Sequence, residues 1–419
     1  MRRRGRAIRG VMVCLSLALV IVPTTRGAPA PVAHGATGTR SRAHGGRTYS
    51  SAVGTALLPV TIPEQQLRLA IAATLQRNYV RPQLVVYPSP AYGNPYLRDS
   101  FWVAQTMNNR SFSVYVLDMF AANERADGEP PTWFVSAYRS PQYHDDESAA
   151  LVLIWAWRNQ AIYHTAPPSR LLQRALTYLL RHSHGGRFIS PAGTYASWWD
   201  AYPLQAPDTL SYNQGLFAVA MRCAKYLGLR LPPHYIAKAE NAYRGMFNPR
   251  RGYLTLSKNI PASDASALTG EFLSKWLFNY PMLSDKMVLS TLRHLSPFGP
   301  GFRVVVMPGA NNTSGAGLTA PSGFGIPGDY QNGASWLLYD ALSIGAAGLH
   351  GMPGALARLQ ARLALEFRYG VMLHEYLQTN PTLPFYGTEP PWRDKFSWDT
   401  FALVVDRVLR AHERQVSGR

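Results

Sequence analysis

Gly328-Asp329-Tyr330-Gln331-Asn332-Gly333 is followed, from 336 to 349, by a segment that is apolar nearly all round. A helix with no polar face has nothing to offer water, so it must be buried. Residues 353 to 368 differ. Leu356, Leu359, Leu363 and Phe367 recur at steps of three and four, while Arg358, Arg362, Glu366 and Arg368 fall elsewhere. That is a helix with one wet face. The unit is therefore a polar and aromatic entry, a buried helix, and a half-wet helix.

Outward from this stretch the same chemistry recurs. Its other entries are Arg98-Asp99-Ser100-Phe101-Trp102, Asp145-Asp146-Glu147-Ser148, Ser211-Tyr212-Asn213-Gln214-Gly215, Leu268-Thr269-Gly270-Glu271-Phe272 and Lys395-Phe396-Ser397-Trp398-Asp399. Successive entries lie roughly 47 to 66 residues apart, the length of two helices with loops. Segments 149 to 157, 216 to 221 and 401 to 405 are again apolar nearly all round, whereas 64 to 77, 111 to 124, 168 to 183, 233 to 246 and 283 to 295 are amphipathic. Six buried helices alternating with six half-wet ones predict an all-α protein, an (α/α)6 barrel, over residues 58 to 415. An open solenoid also alternates, but its inner helices keep an exposed concave face, so the closed ring is favoured.

Alternation places every outer-to-inner loop at one end of the ring, where the inner helices begin. Those loops are the long ones: 125 to 144, 184 to 210, 247 to 267, 296 to 327 and 369 to 394. Long loops on a rigid scaffold are where sites are built. Helix N-termini there offer free N–H groups and partial positive charge.

With 419 residues, 47% hydrophobic and 16% charged, the chain can bury a large core and is neither disordered nor fibrous. Arg2, Arg3, Arg4, Arg6 and Arg9 precede an apolar run from Gly10 to Val22, so residues 1 to 30 read as a secretory signal. The run falls short of the ~20 residues that span a bilayer. Residues 31 to 57, rich in Gly, Ala, Ser, Thr and Arg, read as a flexible linker. Cys14 lies in the signal and Cys223 is alone beyond it, so an extracellular destination brings no intramolecular disulfide. The net charge is +18, of which six arginines in the first thirty residues supply a third. The remaining arginines are scattered over helix faces. Their functional reading is contact with an anionic surface such as a cell wall or acidic glycan. No basic run with interleaved aromatics argues for a nucleic acid partner. Oligomeric state leaves no mark on the sequence.

Two loop acids stand apart from the helix entries. Asp200 sits among rings in Tyr195-Ala196-Ser197-Trp198-Trp199-Asp200-Ala201-Tyr202, and Glu375 lies in His374-Glu375-Tyr376. Glycosidic hydrolysis needs one protonated carboxyl to serve the leaving oxygen and one ionised carboxyl to activate water. An aromatic surround raises a carboxyl pKa, which suits Asp200 to the acid role and leaves Glu375 as the base. Trp102, Trp199, Tyr330 and Trp398 are candidate stacking surfaces for sugar C–H faces, with Arg98, Asp99, Asp146, Asn213, Gln214, Asp329 and Asn332 as hydroxyl partners. Trp336, inside its helix, reads as core. Adjacent acids on a helix point ~100° apart, so Asp145-Asp146-Glu147 does not converge on a metal. No metal or other cofactor is expected. The run Gly309 to Gly328 lacks the lysine of a phosphate loop and reads as a flap beside the pocket.

These motifs, in this order over about residues 60 to 412, resemble the six-hairpin glycosidases, nearest to the glucosidases of family 63 and the amylo-alpha-1,6-glucosidase part of glycogen-debranching enzymes. The resemblance implies an inverting glycoside hydrolase with its acid at Asp200 and its base at Glu375. It further implies a terminal sugar held by Arg98 and Asp99, with Asp329, Tyr330 and Asn332 shaping the same subsite. The implied substrate is a terminal, α-linked glucosyl residue of an oligo- or polysaccharide. Asp99 and Glu271 stand as alternative acids. A non-catalytic glycan binder and a polysaccharide lyase are the alternative functions.

Overall fold

The computed structural model describes residues 64–80, 84–89, 92–135, 139–193, 197–198, 204–308, 326–369, 373–388 and 396–418. The proposed signal and linker, with Trp199, Asp200 and most of the glycine-rich flap, lie outside the described residues. The compact unit runs from Ala56 to Arg419. Twelve α-helices are described: α1 (Glu64–Asn78), α2 (Leu97–Met107), α3 (Arg110–Ala122), α4 (Ser148–Tyr163), α5 (Ser169–Arg181), α6 (Ser211–Tyr226), α7 (Tyr235–Arg244), α8 (Thr269–Phe278), α9 (Asp285–His294), α10 (Leu337–Leu349), α11 (Ala355–Glu366) and α12 (Ala402–Ser417). Short 3-10 turns, Ala265–Leu268 and Trp398–Phe401, lead into α8 and α12.

The even-numbered helices form a ring. α2 packs on α4, α4 on α6, α6 on α8, α8 on α10 and α10 on α12, and the entry to α12 packs back on α2. The ring closes, giving an (α/α)6 barrel whose odd-numbered helices lie outside it. The inner helices pack with little between them. A Cβ at Gly270 of α8 would stand 2.4 Å from the Cα of Gly215 of α6, so the two backbones touch there. The outer helices keep one dry stripe, Leu172, Ala175, Leu176 and Leu179 in α5 for example.

Inner-to-outer connections are short, from two residues after α2 to eight after α6, while outer-to-inner ones are long. Each of the first five long loops carries a two-stranded antiparallel ribbon: β1 (Tyr79–Val80) with β2 (Val85–Val86), β3 (Trp133–Val135) with β4 (Ser140–Gln142), β5 (Ser183–His184) with β6 (Arg187–Phe188), β7 (Phe247–Asn248) with β8 (Tyr253–Leu254), and β9 (Pro297–Phe298) with β10 (Gly301–Phe302).

Apart from half-buried Asp329, the described polar residues of the helix entries are buried, but they join helices instead of capping their own. α2, α4, α6 and α10 begin with no side-chain cap. Asp399, at the entry to α12, instead accepts the Leu338 N–H of α10 at 2.9 Å. Gln214 of α6 ties down β5–β6, giving its Nε2 to Gly186 and Ala239 carbonyls at 3.0 Å and accepting from the Phe188 N–H at 2.8 Å. Buried backbone groups at helix ends need partners, and in a ring the neighbouring helix is the nearest source.

Candidate active site

The pocket opens at the loop end of the ring and is assembled from five separate stretches. Pro88, Tyr92 and Tyr96 come from the first long loop, Arg98 and Asp99 from the first turn of α2, and Trp198 from the third loop. Tyr330, Gln331 and Trp336 precede or begin α10, while Glu375, Phe396 and Trp398 lie on the approach to α12. The free space is about 50 Å³, room for a few waters and less than a sugar ring requires.

Glu375 is 2% exposed and accepts the Tyr92 hydroxyl, 3.1 and 3.2 Å from its two oxygens. Its strand-like segment is pinned by the paired bonds between Ser335 and Leu377, 3.0 and 2.8 Å. A buried charge chain supports it from behind. Arg362 of α11 bonds Asp340 of α10 at 2.6 Å and Glu366 at 2.5 Å, and Glu366 takes both the backbone N–H (3.0 Å) and Nδ1 (2.7 Å) of His374, the residue before Glu375. Burial would raise the Glu366 carboxyl, but Arg362 and His374 overcome it and hold the group down to about 2. Glu366 is thus a fixed anion that orients the His374-Glu375 turn.

Asp99 is 4% exposed, and its Oδ1 has no hydrogen-bond partner. Burial raises its carboxyl, Arg98 opposes the rise and the neighbouring charge of Glu375 adds to it, so Asp99 is pushed up to about 8 and carries its proton at neutral pH. Arg98 is engaged elsewhere: Nη2 bonds Asp145 at 2.7 Å, Nε bonds Glu147, and the guanidinium lies 5.6 Å from the Trp398 ring centre. Two of the three adjacent acids at the entry to α4 therefore neutralise Arg98. The third, Asp146, lies near enough to Tyr178 of α5 to disfavour its phenolate, and does not line the pocket.

The walls are aromatic. Trp198 packs on Tyr339 at 4.4 Å and on Trp336 at 5.4 Å, while Trp336 stacks on Tyr376 at 5.5 Å. Trp398 meets Trp336 edge to face at 5.7 Å, and its indole N–H has no partner. Ser197 has φ +71° and its carbonyl accepts from Arg98 at 3.2 Å, while the Trp198 carbonyl accepts from Gln331 at 2.5 Å. The ring of Trp198 is thereby held across the pocket.

Of the residues expected from sequence, Glu375, Arg98, Asp99, Tyr330 and Trp398 come together here. Trp102 does not: it is fully buried between Phe101 and Phe401, a core residue behind the wall. Gln214 is saturated by the ribbon contacts above, and Asn213 bonds Ser190 Oγ at 3.2 Å, so neither lines the pocket. Asp329 is half-buried and accepts from Gln378 at 2.9 Å, and Asn332 is buried in the turn that closes on the Asp329 carbonyl. Glu271 is excluded as an acid. It accepts the Met282 and Leu283 N–H groups and bonds His350 at 2.7 Å, at the far end of the ring. Trp336, read as core, is 1% exposed and also lines the pocket. Tyr92 was not anticipated. Its signal was the density of tyrosines, at 79, 87, 92 and 96, in the long loop that leads into the first inner helix.

A closed (α/α)6 ring with a carboxyl pair in an aromatic pocket at its loop end defines the class of this protein by architecture. Solved structures share that architecture. A glycosidase aligns over 83% of this chain and 96% of its own with a TM-score of 0.57 at 15% identity, and a variant of a glycosidase in complex with glucose aligns over the same shares at 0.58 and 16%. The GH63 mannosylglycerate hydrolase of Thermus thermophilus, in complex with Tris and D-glycerate, aligns over 81% of this chain and 99% of its own at 0.55 and 14%. The likeness at these identities is one of fold. No family model and no curated protein matches the sequence.

Proposed function

We propose that the protein is a glycoside hydrolase that removes a terminal, α-linked glucosyl residue from an oligo- or polysaccharide with inversion. The observation that carries this is Glu375, a buried carboxyl at the base of an aromatic pocket, facing a second carboxyl, Asp99, whose free oxygen has no protein partner. Glu375 activates the attacking water and Asp200 protonates the leaving oxygen. Protonated Asp99 offers a sugar hydroxyl both an O–H and an acceptor, while Trp398 N–H offers a further donor. Admission of a sugar ring requires the wall to move, since the free space is less than a ring needs. Residues 1 to 30 direct the protein out of the cell. The glycosidase neighbours, one of them holding glucose, agree with this reading.

One observation favours a second assignment within the same reaction. Asp99 is protonated at neutral pH and electrostatically coupled to Glu375, which are the properties of a general acid. Aryl α-glucosides of graded leaving-group pKa separate the two. If Asp200 is the acid, Asp200→Asn loses turnover on poor leaving groups but keeps it on dinitrophenyl glucoside, while Asp99→Asn weakens both; the reverse pattern assigns the proton to Asp99. Glu375→Gln lowers turnover of every substrate by about 10² to 10⁴. NMR of the first anomer formed tests inversion. A parent protein that binds glucosides but turns none over would leave a glycan-binding protein and refute the hydrolase.

A further inference from the structure

At the end of the ring opposite the pocket, aromatic rings from three successive inner helices meet. Trp157, six residues before the end of α4, Tyr226 at the end of α6 and Phe278 at the end of α8 lie within 23–24° of parallel, with centroids 5.0 Å (Trp157 to Tyr226), 5.4 Å (Tyr226 to Phe278) and 6.0 Å (Trp157 to Phe278) apart. Tyr226 is 52% exposed. Trp157 and Phe278 are half-buried, so the exposed Tyr226 ring lies on a partly covered aromatic base and forms with it a small platform.

Beside the platform lies a cleft of about 570 Å³ between α6 and α7, far roomier than the pocket and within the range of small-ligand sites. Its polar lining is fixed in place. Arg222 lies 3.7 Å above the Tyr280 ring and is paired with Glu240, whose other oxygen accepts the Tyr280 hydroxyl at 3.1 Å. Lys225 stands exposed at the rim beside Tyr226. With Glu240 matched by Arg222, Lys225 leaves the cleft one positive charge in excess. Aromatic planes beside fixed donors suit a pyranose ring, with its apolar C–H faces and hydroxyl edge. The uncompensated ammonium suits a sugar acid, and the net charge of +12 that remains beyond residues 1 to 30 draws an anionic polymer toward the protein.

We propose that this cleft and platform form a second glycan-binding site, for an acidic polysaccharide whose sugar faces stack on Tyr226 and whose carboxylates meet Lys225. The inner helices, at 1.5 Å per residue, put roughly 15 to 24 Å between it and the catalytic pocket, so the site holds a polymer without presenting it for cleavage. It stands whether or not the pocket hydrolyses anything.

The test uses the full protein and polygalacturonate, with hydroxyethylcellulose, a neutral β-linked polymer, as the control, in affinity electrophoresis at low and high salt. Polygalacturonate retards the parent at low salt and less at high salt, while hydroxyethylcellulose does not. Tyr226→Ala and Lys225→Glu, both at exposed positions, each weaken binding about tenfold or more. Both leave turnover of a small aryl glucoside unchanged, and Glu375→Gln leaves polygalacturonate binding unchanged. Absence of binding by the parent, equal retardation by hydroxyethylcellulose, or full binding by Tyr226→Ala would each overturn the site. Loss of glucosidase activity in the parent would bear on the pocket alone.

Discussion

Asp99 shows how much chemistry one buried side chain holds. A carboxyl pushed up to about 8 binds its proton more tightly folded than unfolded, so the fold loses stability as pH rises from the ordinary carboxyl range through about 8. Asp264, pushed up to about 6 by burial against the opposing bonds of Ser266, adds to the same slope. Asp99→Asn keeps the shape and removes the titration. Its melting temperature, relative to the parent, should be level at about pH 4 and rise steadily in its favour to about pH 9. Parallel curves would show that Asp99 ionises normally. At this scale the sequence was partly legible. Glu375 was found because an acid in a long loop between a histidine and a tyrosine stood out. The bond from Tyr92 joins residues 283 positions apart and leaves no local pattern. Trp102 and Gln214 were misplaced for a related reason: a residue at a helix entry faces the pocket or the core according to its angle around the ring axis, which spacing along the chain does not give.

Among elements, the inner helices are held by backbone contact and by polar groups lent from one helix to the next. Both features come from curvature. A ring of six brings neighbouring helix ends close enough to share hydrogen-bond partners, and small residues set how close. Gly270→Ala forces a methyl against the backbone of Gly215, so α6 and α8 must separate. Overpacking of this kind costs about 1 to 3 kcal/mol. We expect the melting temperature to fall by roughly 2 to 10 °C. An unchanged value would mean that the two helices yield without cost. Helix positions and the outer dry stripes were legible because hydrophobic period depends on each helix alone. Their exchange of hydrogen-bond partners was not, since the polar entries were read as pocket lining and nothing in them names the neighbour they reach.

For the whole molecule, closure is what matters. The Trp398–Phe401 turn and α12, the last inner segment, join α10 to α2, the first. Removing residues 398 to 419 therefore uncovers apolar faces on both sides of a gap, Trp102 among them. Such a chain should show no cooperative thermal transition by circular dichroism and should bind hydrophobic dye. A sharp transition would indicate that five hairpins suffice and that the ring is not a single folding unit. The amino-acid sequence by itself determined six repeats of a buried and a half-wet helix, the end at which the long loops gather, and the acid among them that became Glu375, because hydrophobic period and loop length are local quantities. Which entry residues reach the pocket, that Arg98 is spent on Asp145 and Glu147, and that Asp99 keeps its proton beside Glu375 were decided only by the tertiary structure. Burial and electrostatic coupling depend on what lies across the ring, and that is settled when the ring closes.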